Sequence, residues 1–176
     1  DDGPHPVYTE QILDVLLDLD VKATFFLVGK NIEGNEELVR RMVREGHLIG
    51  NHTYDHVDLS KMDNEDMYLQ LSKTSACIYE LTGVRTEFVR PPFGAWRVEL
   101  SEVTDMIPIF WTIDTLDWSV QNADHALQKV MDNVTENDII LMHDQYRTTA
   151  EAVRTVVAHL LAKGYDLVTA DEIILE

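Results

Sequence analysis

Ala23-Thr24-Phe25-Phe26-Leu27-Val28-Gly29 is a continuous apolar run set between two stretches of helical periodicity. A strand with one wet face alternates apolar and polar residues. A run apolar throughout suits a strand buried on both faces, as in parallel sheets covered by helices. Before it, Ile12, Val15, Leu16 and Leu19 form one helical stripe, with Thr9 a candidate N-cap. After it, a second helix is expected from the cap Asn35, turning Leu38, Val39, Met42 and Val43 inward and ending at Gly46. The pattern then repeats. Further strands are expected at residues 47–50, 87–89, 108–113, 138–142 and 167–169, and helices at 64–81, around 98–106, at 123–134 and at 150–161, before a short helical tail. Strand and helix alternate with no linker, repeat or low-complexity tract, which predicts one α/β domain over 1–176 with a parallel sheet.

Composition narrows the function classes. The chain has 176 residues, 45% of them hydrophobic, enough for one domain with a real core. Its 14 basic against 32 acidic side chains give a formal charge of -18, which repels phosphate backbones and argues against nucleic-acid binding. Nothing in the sequence points to a protein partner. Cys77 is the only cysteine, so no internal disulfide or cysteine metal cluster can form, and its amphipathic setting suggests a buried, inert thiol. No apolar run is long enough to span a bilayer.

The polar groups with chemical potential share a position. His52, Arg90, Asp114 with Asp117, and His143 each come at or just after the end of an apolar strand. In (β/α) barrels the active site gathers at that rim from several strands. Six strands are counted, and the turn Asp1-Asp2-Gly3-Pro4 would follow a seventh. The expected fold is therefore a distorted or incomplete (β/α) barrel of about seven parallel strands, with the first missing from the sequence.

Asn51-His52-Thr53-Tyr54-Asp55-His56 offers two imidazoles four residues apart, a spacing that places side chains on the same side of a turn. Alone, the pair is weak evidence, and a polar loop is the commoner reading of it. Aspartate with two histidines, leaving open positions for water, is a standard catalytic divalent-metal set, and Asp2, His52 and His56 fit it. Two adjacent aspartates cannot easily aim at one metal, so Asp1 and Asp2 are expected to divide the work, one ligating and the other taking a proton from the water. His143 follows a largely apolar stretch, so its ring should emerge from the core as a general acid, with Asp117 or Asp114 as its carboxylate. Arg90 would orient one aspartate and depress its pKa. Phe93 and Trp111 are expected in the core, while Trp96 and Trp118 stand beside polar loop residues where they can stack on a sugar. Thr53 is expected to fix the loop by a hydrogen bond. His5, His47, His125 and His159 read as structural or surface residues.

Taken in order, Asp1-Asp2-Gly3-Pro4, His52-Thr53-Tyr54-Asp55-His56, Arg90-Pro91-Pro92-Phe93-Gly94, Asp114-Thr115-Leu116-Asp117-Trp118 and Leu141-Met142-His143-Asp144 resemble the five motifs of the polysaccharide deacetylases. These are the NodB-homology domains of carbohydrate esterase family 4, and the resemblance covers essentially the whole chain. It points towards bacterial peptidoglycan N-acetylglucosamine deacetylases. The resemblance implies Asp1 as general base, and Asp2, His52 and His56 as ligands of a divalent metal, usually zinc and sometimes cobalt. It implies that Arg90 orients the base, Asp117 tunes His143, and His143 protonates the leaving amine. The backbone N–H of Phe93 would help stabilise the tetrahedral intermediate, and Leu141 and Trp118 would line the acetyl pocket. The substrate implied is peptidoglycan, with a chitin oligomer or acetylated xylan as same-fold alternatives and an inactive carbohydrate-binding relative as the alternative of another class. The implied location is extracellular or attached to the cell wall or membrane, with any targeting segment upstream of Asp1. Phe93 stands where the family more often has tyrosine; because the backbone donates, little loss is expected.

Overall fold

Phe25, Phe26 and Leu27 are all buried in strand β1 (Thr24–Leu27), and they point two ways. Phe25 and Leu27 join Ile12, Leu13 and Leu16 of helix α1 (Tyr8–Asp18), Val39 and Met42 of α2 (Glu36–Arg44), and Ile49 of β2 (Leu48–Asn51) in the largest apolar cluster. Phe26 faces the opposite side, among Phe88, Ile109 and Ala170. The two-sided burial expected from the sequence is thus met. Phe26 lies in register with Gly50 of β2, where a Cβ would run into the Phe26 ring, so glycine there is a packing requirement. Truncating a ring packed this way costs about 3–5 kcal/mol.

The computed structural model describes residues 1–97 and 102–174. After β2 come α3 (Asn64–Thr82), β3 (Phe88–Val89), β4 (Ile107–Pro108), β5 (Ile113–Asp114), α4 (Asp117–Val120), α5 (Ala123–Asn133), β6 (Ile140–Leu141), α6 (Arg147–Ala162) and α7 (Ala170–Ile174). One sheet has the order β1-β2-β3-β4 and a second pairs β5 with β6; every described pairing is parallel. Residues 1–3 join the two sheets. The Asp1 nitrogen donates to Met142 O at 2.8 Å, Asp144 N–H donates to Asp1 O at 3.1 Å, and Val28 N–H donates to Gly3 O at 2.9 Å. The first two bonds are those of a parallel ladder.

Several elements depart from expectation. Residues 108–113 do not form one strand: β4 ends at Pro108, and pairing resumes at Ile113 in the other sheet. The cause is Arg90, whose Nε and Nη2 take the carbonyls of Ile109 and Phe110, each at 3.1 Å. Residues 167–169 are not a strand either. Thr169 accepts no ladder; its N–H and hydroxyl both donate to Glu172 at the start of α7. Thr9 does not cap α1: the helix starts at Tyr8, so Thr9 lies within its first turn, where its hydroxyl accepts His5 N–H while His5 Nδ1 accepts from Val7 and Tyr8 N–H. The helical segment expected around 98–106 falls partly outside the described residues.

A cavity of about 520 Å³ lies between α1, β1, β6 and α6, with mainly apolar walls such as Ile12, Phe25, Met142 and Val153. Asp1 and Arg90 line it as well, whereas His52 and His56 do not. No helix among the described residues is long and apolar enough to cross a membrane.

Candidate active site

The end of β2 delivers the histidine pair. Asn51, fully buried, donates to Leu71 O and Ser75 Oγ and accepts Thr53 N–H at 2.9 Å, which bends the chain immediately after His52. Gln70 on α3 accepts the N–H groups of both Tyr54 and Asp55. Val57 N–H reaches Thr53 Oγ1 at 3.3 Å, the loop-fixing bond expected of Thr53. Thr53 and His56 both adopt left-handed backbone, with φ of 64° and 58°. These constraints aim both imidazoles at Asp2: His52 Nε2 and His56 Nε2 each lie 3.2 Å from Asp2 Oδ1.

The protonation states follow from the partners. His52 Nδ1 lies 2.5 Å from Arg90 O, and a carbonyl only accepts, so Nδ1 carries the hydrogen and Nε2 keeps its lone pair. Burial pushes the His52 imidazole down to about 4, so it is neutral at physiological pH. The Asp2 carboxylate therefore faces the lone pair of a neutral imidazole, two acceptors opposed. Asp2 Oδ1 is buried and has no hydrogen-bond partner. A cation between them reconciles the contact. Among the described residues, Asp2, His52 and His56 are the one group of three or more such side chains able to hold a metal ion, with donor atoms within 4.8 Å of one another. The N₂O donor set suits a borderline divalent ion.

Asp1 is turned away from that centre. Its Oδ1 accepts from Arg90 Nη1 at 2.9 Å, while Oδ2 lies 3.8 Å from His52 Nε2. Arg90 is itself immobilised by the Ile109 and Phe110 carbonyls and by the Phe26 ring, 4.3 Å below its guanidinium carbon. Burial lowers its pKa to about 9, which leaves it charged beside Asp1.

On the other side, Asp117 rather than Asp114 holds His143. His143 Nδ1 lies 2.8 Å from Asp117 Oδ1, and His143 N–H donates to Asp117 Oδ2 at 2.7 Å. Thr149 Oγ1 donates to the same Oδ2 at 2.6 Å and Trp118 N–H to Oδ1 at 2.9 Å. Burial works to raise the Asp117 pKa, but His143 and Thr149 prevail and lower it. An ionised Asp117 requires Nδ1 to be the donor, so Nε2 of His143 is left for substrate. Asp114 instead accepts Leu116 N–H.

Phe93 is not in the core: it is 69% exposed, with its ring 4.9 Å from that of His56 and its φ at 61°. Two consecutive prolines before it exclude continued strand, and the turn Pro92–Gly94 pushes its side chain outward. Trp96 is partly buried against the cluster of Leu59, Met67 and Leu71 and is not a free sugar platform. Trp111 is half-buried beside Arg90 and Gly94, Trp118 is exposed, and Leu141 is buried. Asn51, Gln70 and Thr149 were not singled out in the sequence, since an amide or hydroxyl near a motif has no signature of its own.

The parallel α/β architecture thus brings together a carboxylate with two histidines and, beside them, a histidine bound to a second carboxylate. The polysaccharide deacetylase family model matches residues 1–108, and the chain belongs to that family. It is 39% identical over 173 residues to the peptidoglycan-N-acetylglucosamine deacetylase PgdA of Listeria monocytogenes, covering 98% of this chain and 37% of that protein. The chain thus spans a little over a third of that relative's length. Among solved structures, peptidoglycan deacetylase PdaC from Bacillus subtilis superposes with a TM-score of 0.96 at 35% identity, covering 98% of this chain and 86% of that one. A family 4 acetyl xylan esterase from Clostridium thermocellum, in complex with cobalt, gives a TM-score of 0.94 at 31% identity, covering 99% and 87%.

Proposed function

We propose that this chain is the catalytic domain of a metal-dependent polysaccharide deacetylase, hydrolysing N-acetyl groups of a β-1,4-linked aminosugar polymer, peptidoglycan above all. The observation that carries the reading is Asp2 Oδ1 set 3.2 Å from both imidazole Nε2 atoms, with Asp1–Arg90 on one flank and His143–Asp117 on the other. Asp2, His52 and His56 would hold the ion, zinc by preference with cobalt as substitute. When bound, it supplies Lewis acidity that lowers the pKa of water and polarises an acetyl carbonyl.

The protein's own groups do the rest. Asp1, paired with Arg90, takes a proton from the attacking water. The water oxygen bonds to the acetyl carbon, and the backbone N–H of Phe93 donates to the oxyanion that develops. His143 passes a proton from Nε2 to the departing nitrogen as the C–N bond breaks, giving acetate and a free amine. Asp117 fixes the tautomer and stabilises the imidazolium. Leu141 and Trp118 line the acetyl pocket. The fold is read as a distorted (β/α) barrel of about seven parallel strands, residues 1–3 counting as the seventh. The likeness to peptidoglycan deacetylases supports a cell-wall substrate and an extracellular or wall-attached location.

An acetyl-xylan esterase is the second reading, supported by the likeness to the cobalt-bound esterase. An inactive binding relative is disfavoured because binding alone needs no acid and base flanking a metal. The test is acetate release by the zinc-loaded protein from N-acetylglucosamine oligomers, peptidoglycan and acetylated xylan in parallel. Release from the first two supports N-deacetylation; release from xylan alone turns the reading to the esterase; none from any overturns both.

A further inference from the structure

The three carbonyls of residues 1–3 are all engaged, but not in the same way. Asp1 O and Gly3 O accept backbone N–H groups of Asp144 and Val28, as neighbouring strands would provide. Asp2 O, between them, accepts two side-chain amides: Asn31 Nδ2 at 2.8 Å and Gln145 Nε2 at 3.0 Å. Asn31 ends the 3₁₀ turn Gly29–Asn31 that follows β1, and Gln145 stands two residues beyond His143. The amides therefore arrive from both sides of the turn.

Asp2 has a φ of 76°, left-handed backbone that a residue with a Cβ disfavours. A carbonyl oxygen has two lone pairs, and both are filled here, which fixes the plane of the Asp2–Gly3 peptide. That plane and φ together set the direction of the Asp2 carboxylate towards His52 and His56. Relaxation to an ordinary φ would swing Oδ1 away from both imidazoles. The following residue is held as well: a Cβ at Gly3 would run into the carboxyl of Asp144, whose Oδ2 accepts Thr9 Oγ1 at 2.5 Å.

We propose that Asn31 and Gln145 are positioning residues of the metal site, holding Asp2 in the left-handed conformation that aims its carboxylate at the ion. Neither touches the donor atoms; each acts through the Asp2 carbonyl. Because Gln145 lies on the same short loop as His143, it also ties the proton-donating side of the site to the metal-binding side. The inference rests on the metal reading above.

The experiment is zinc affinity by competition with a chromophoric chelator for the wild type, Asn31→Ala, Gln145→Ala and Gln145→Glu, with thermal melting of each metal-free protein. Gln128→Ala serves as control, since the exposed Gln128 bonds Asp132 within α5, away from the site. Each amide loss is expected to weaken zinc about tenfold, as outer-shell changes do. Gln145→Glu, an anion against a carbonyl oxygen, should weaken it at least as much. The visible absorption of the cobalt(II)-loaded variants should change as Asp2 reorients, while metal-free melting falls no more than in the control. Wild-type zinc affinity and an unaltered cobalt spectrum in both Gln145 variants would overturn the proposal, whether or not Asn31→Ala folds. A wild type that binds no zinc would instead sink the metal reading itself.

Discussion

The metal-and-base side of the site and the acid side are built in opposite ways. Asp1, Asp2, His52 and His56 come from two loops, and three positions in or between them, Asp2, Thr53 and His56, stand in left-handed backbone. The acid side rests on one buried carboxylate, Asp117, which accepts four hydrogen bonds from His143, Thr149 and Trp118. The first is held by backbone geometry imposed from neighbouring strands and helices. The second is held by local charge. Of the eight non-glycine residues with positive φ among those described, five (Asp2, Thr53, His56, Phe93 and Leu116) lie in the site motifs. Such conformations persist only where the surroundings over-determine them. The metal side should therefore fail through loss of the ion, and the acid side through loss of proton transfer with the ion still bound.

The largest expected effect separates the two aspartates. Asp2→Ala should weaken zinc binding by more than about a hundredfold, beyond what outer-shell changes produce, and abolish turnover with it. Asp1→Asn, by contrast, should keep zinc, because Asp1 is committed to Arg90, and lose about 10²–10⁴ in kcat. Equal zinc loss in both, measured by chelator competition, would erase the distinction. His143→Ala should match Asp1→Asn: zinc retained and kcat reduced by a similar factor.

Asp117→Asn attacks the buried carboxylate that holds His143. With a base and an acid at work, kcat/KM against pH should be bell-shaped, and this substitution should move the basic limb to lower pH. It should also cost about 1–3 kcal/mol of stability, since buried donors lose a charged acceptor. A stationary limb would remove Asp117 from its role towards His143.

A smaller effect should appear without any substitution. His52 titrates near 4 in the folded protein against 6.5 normally, so the unfolded chain binds more protons between those values. Stability of the metal-free protein should therefore be lost as pH falls from 6.5 to about 4, by at most about 3 kcal/mol, and be flat just above. Denaturant midpoints across that range check the sign. The smallest effect is expected for Phe93→Ala, a few-fold in KM, because the proposed donor is its backbone.

Much of this was legible in the sequence where burial dictated it. The apolar run at residues 23–29 suited a strand covered on both faces, found at Thr24–Leu27, and the ends of such runs pointed to His52, Arg90, Asp117 and His143. Legibility failed where a side chain outcompeted the ladder. Arg90 takes the carbonyls of Ile109 and Phe110, and no propensity of residues 108–113 foretells that. Thr169 likewise turns to Glu172. Phe93 was misplaced because hydrophobicity argued for the core, whereas Pro91 and Pro92 dictated an outward turn. Asn31, Gln145 and Thr149 were invisible for a different reason: their partners are a carbonyl or carboxylate distant in sequence, which spacing does not encode.

The most direct measurement is acetate release from N-acetylglucosamine oligomers by the chelator-stripped protein before and after zinc is restored, with Asp1→Asn run alongside. Release that vanishes on stripping, returns with zinc, and stays absent in a zinc-loaded Asp1→Asn is the predicted result. Release that survives stripping, or a zinc-loaded Asp1→Asn as active as the wild type, would contradict a metal-dependent site in which Asp1 is the base and Asp2 the ligand.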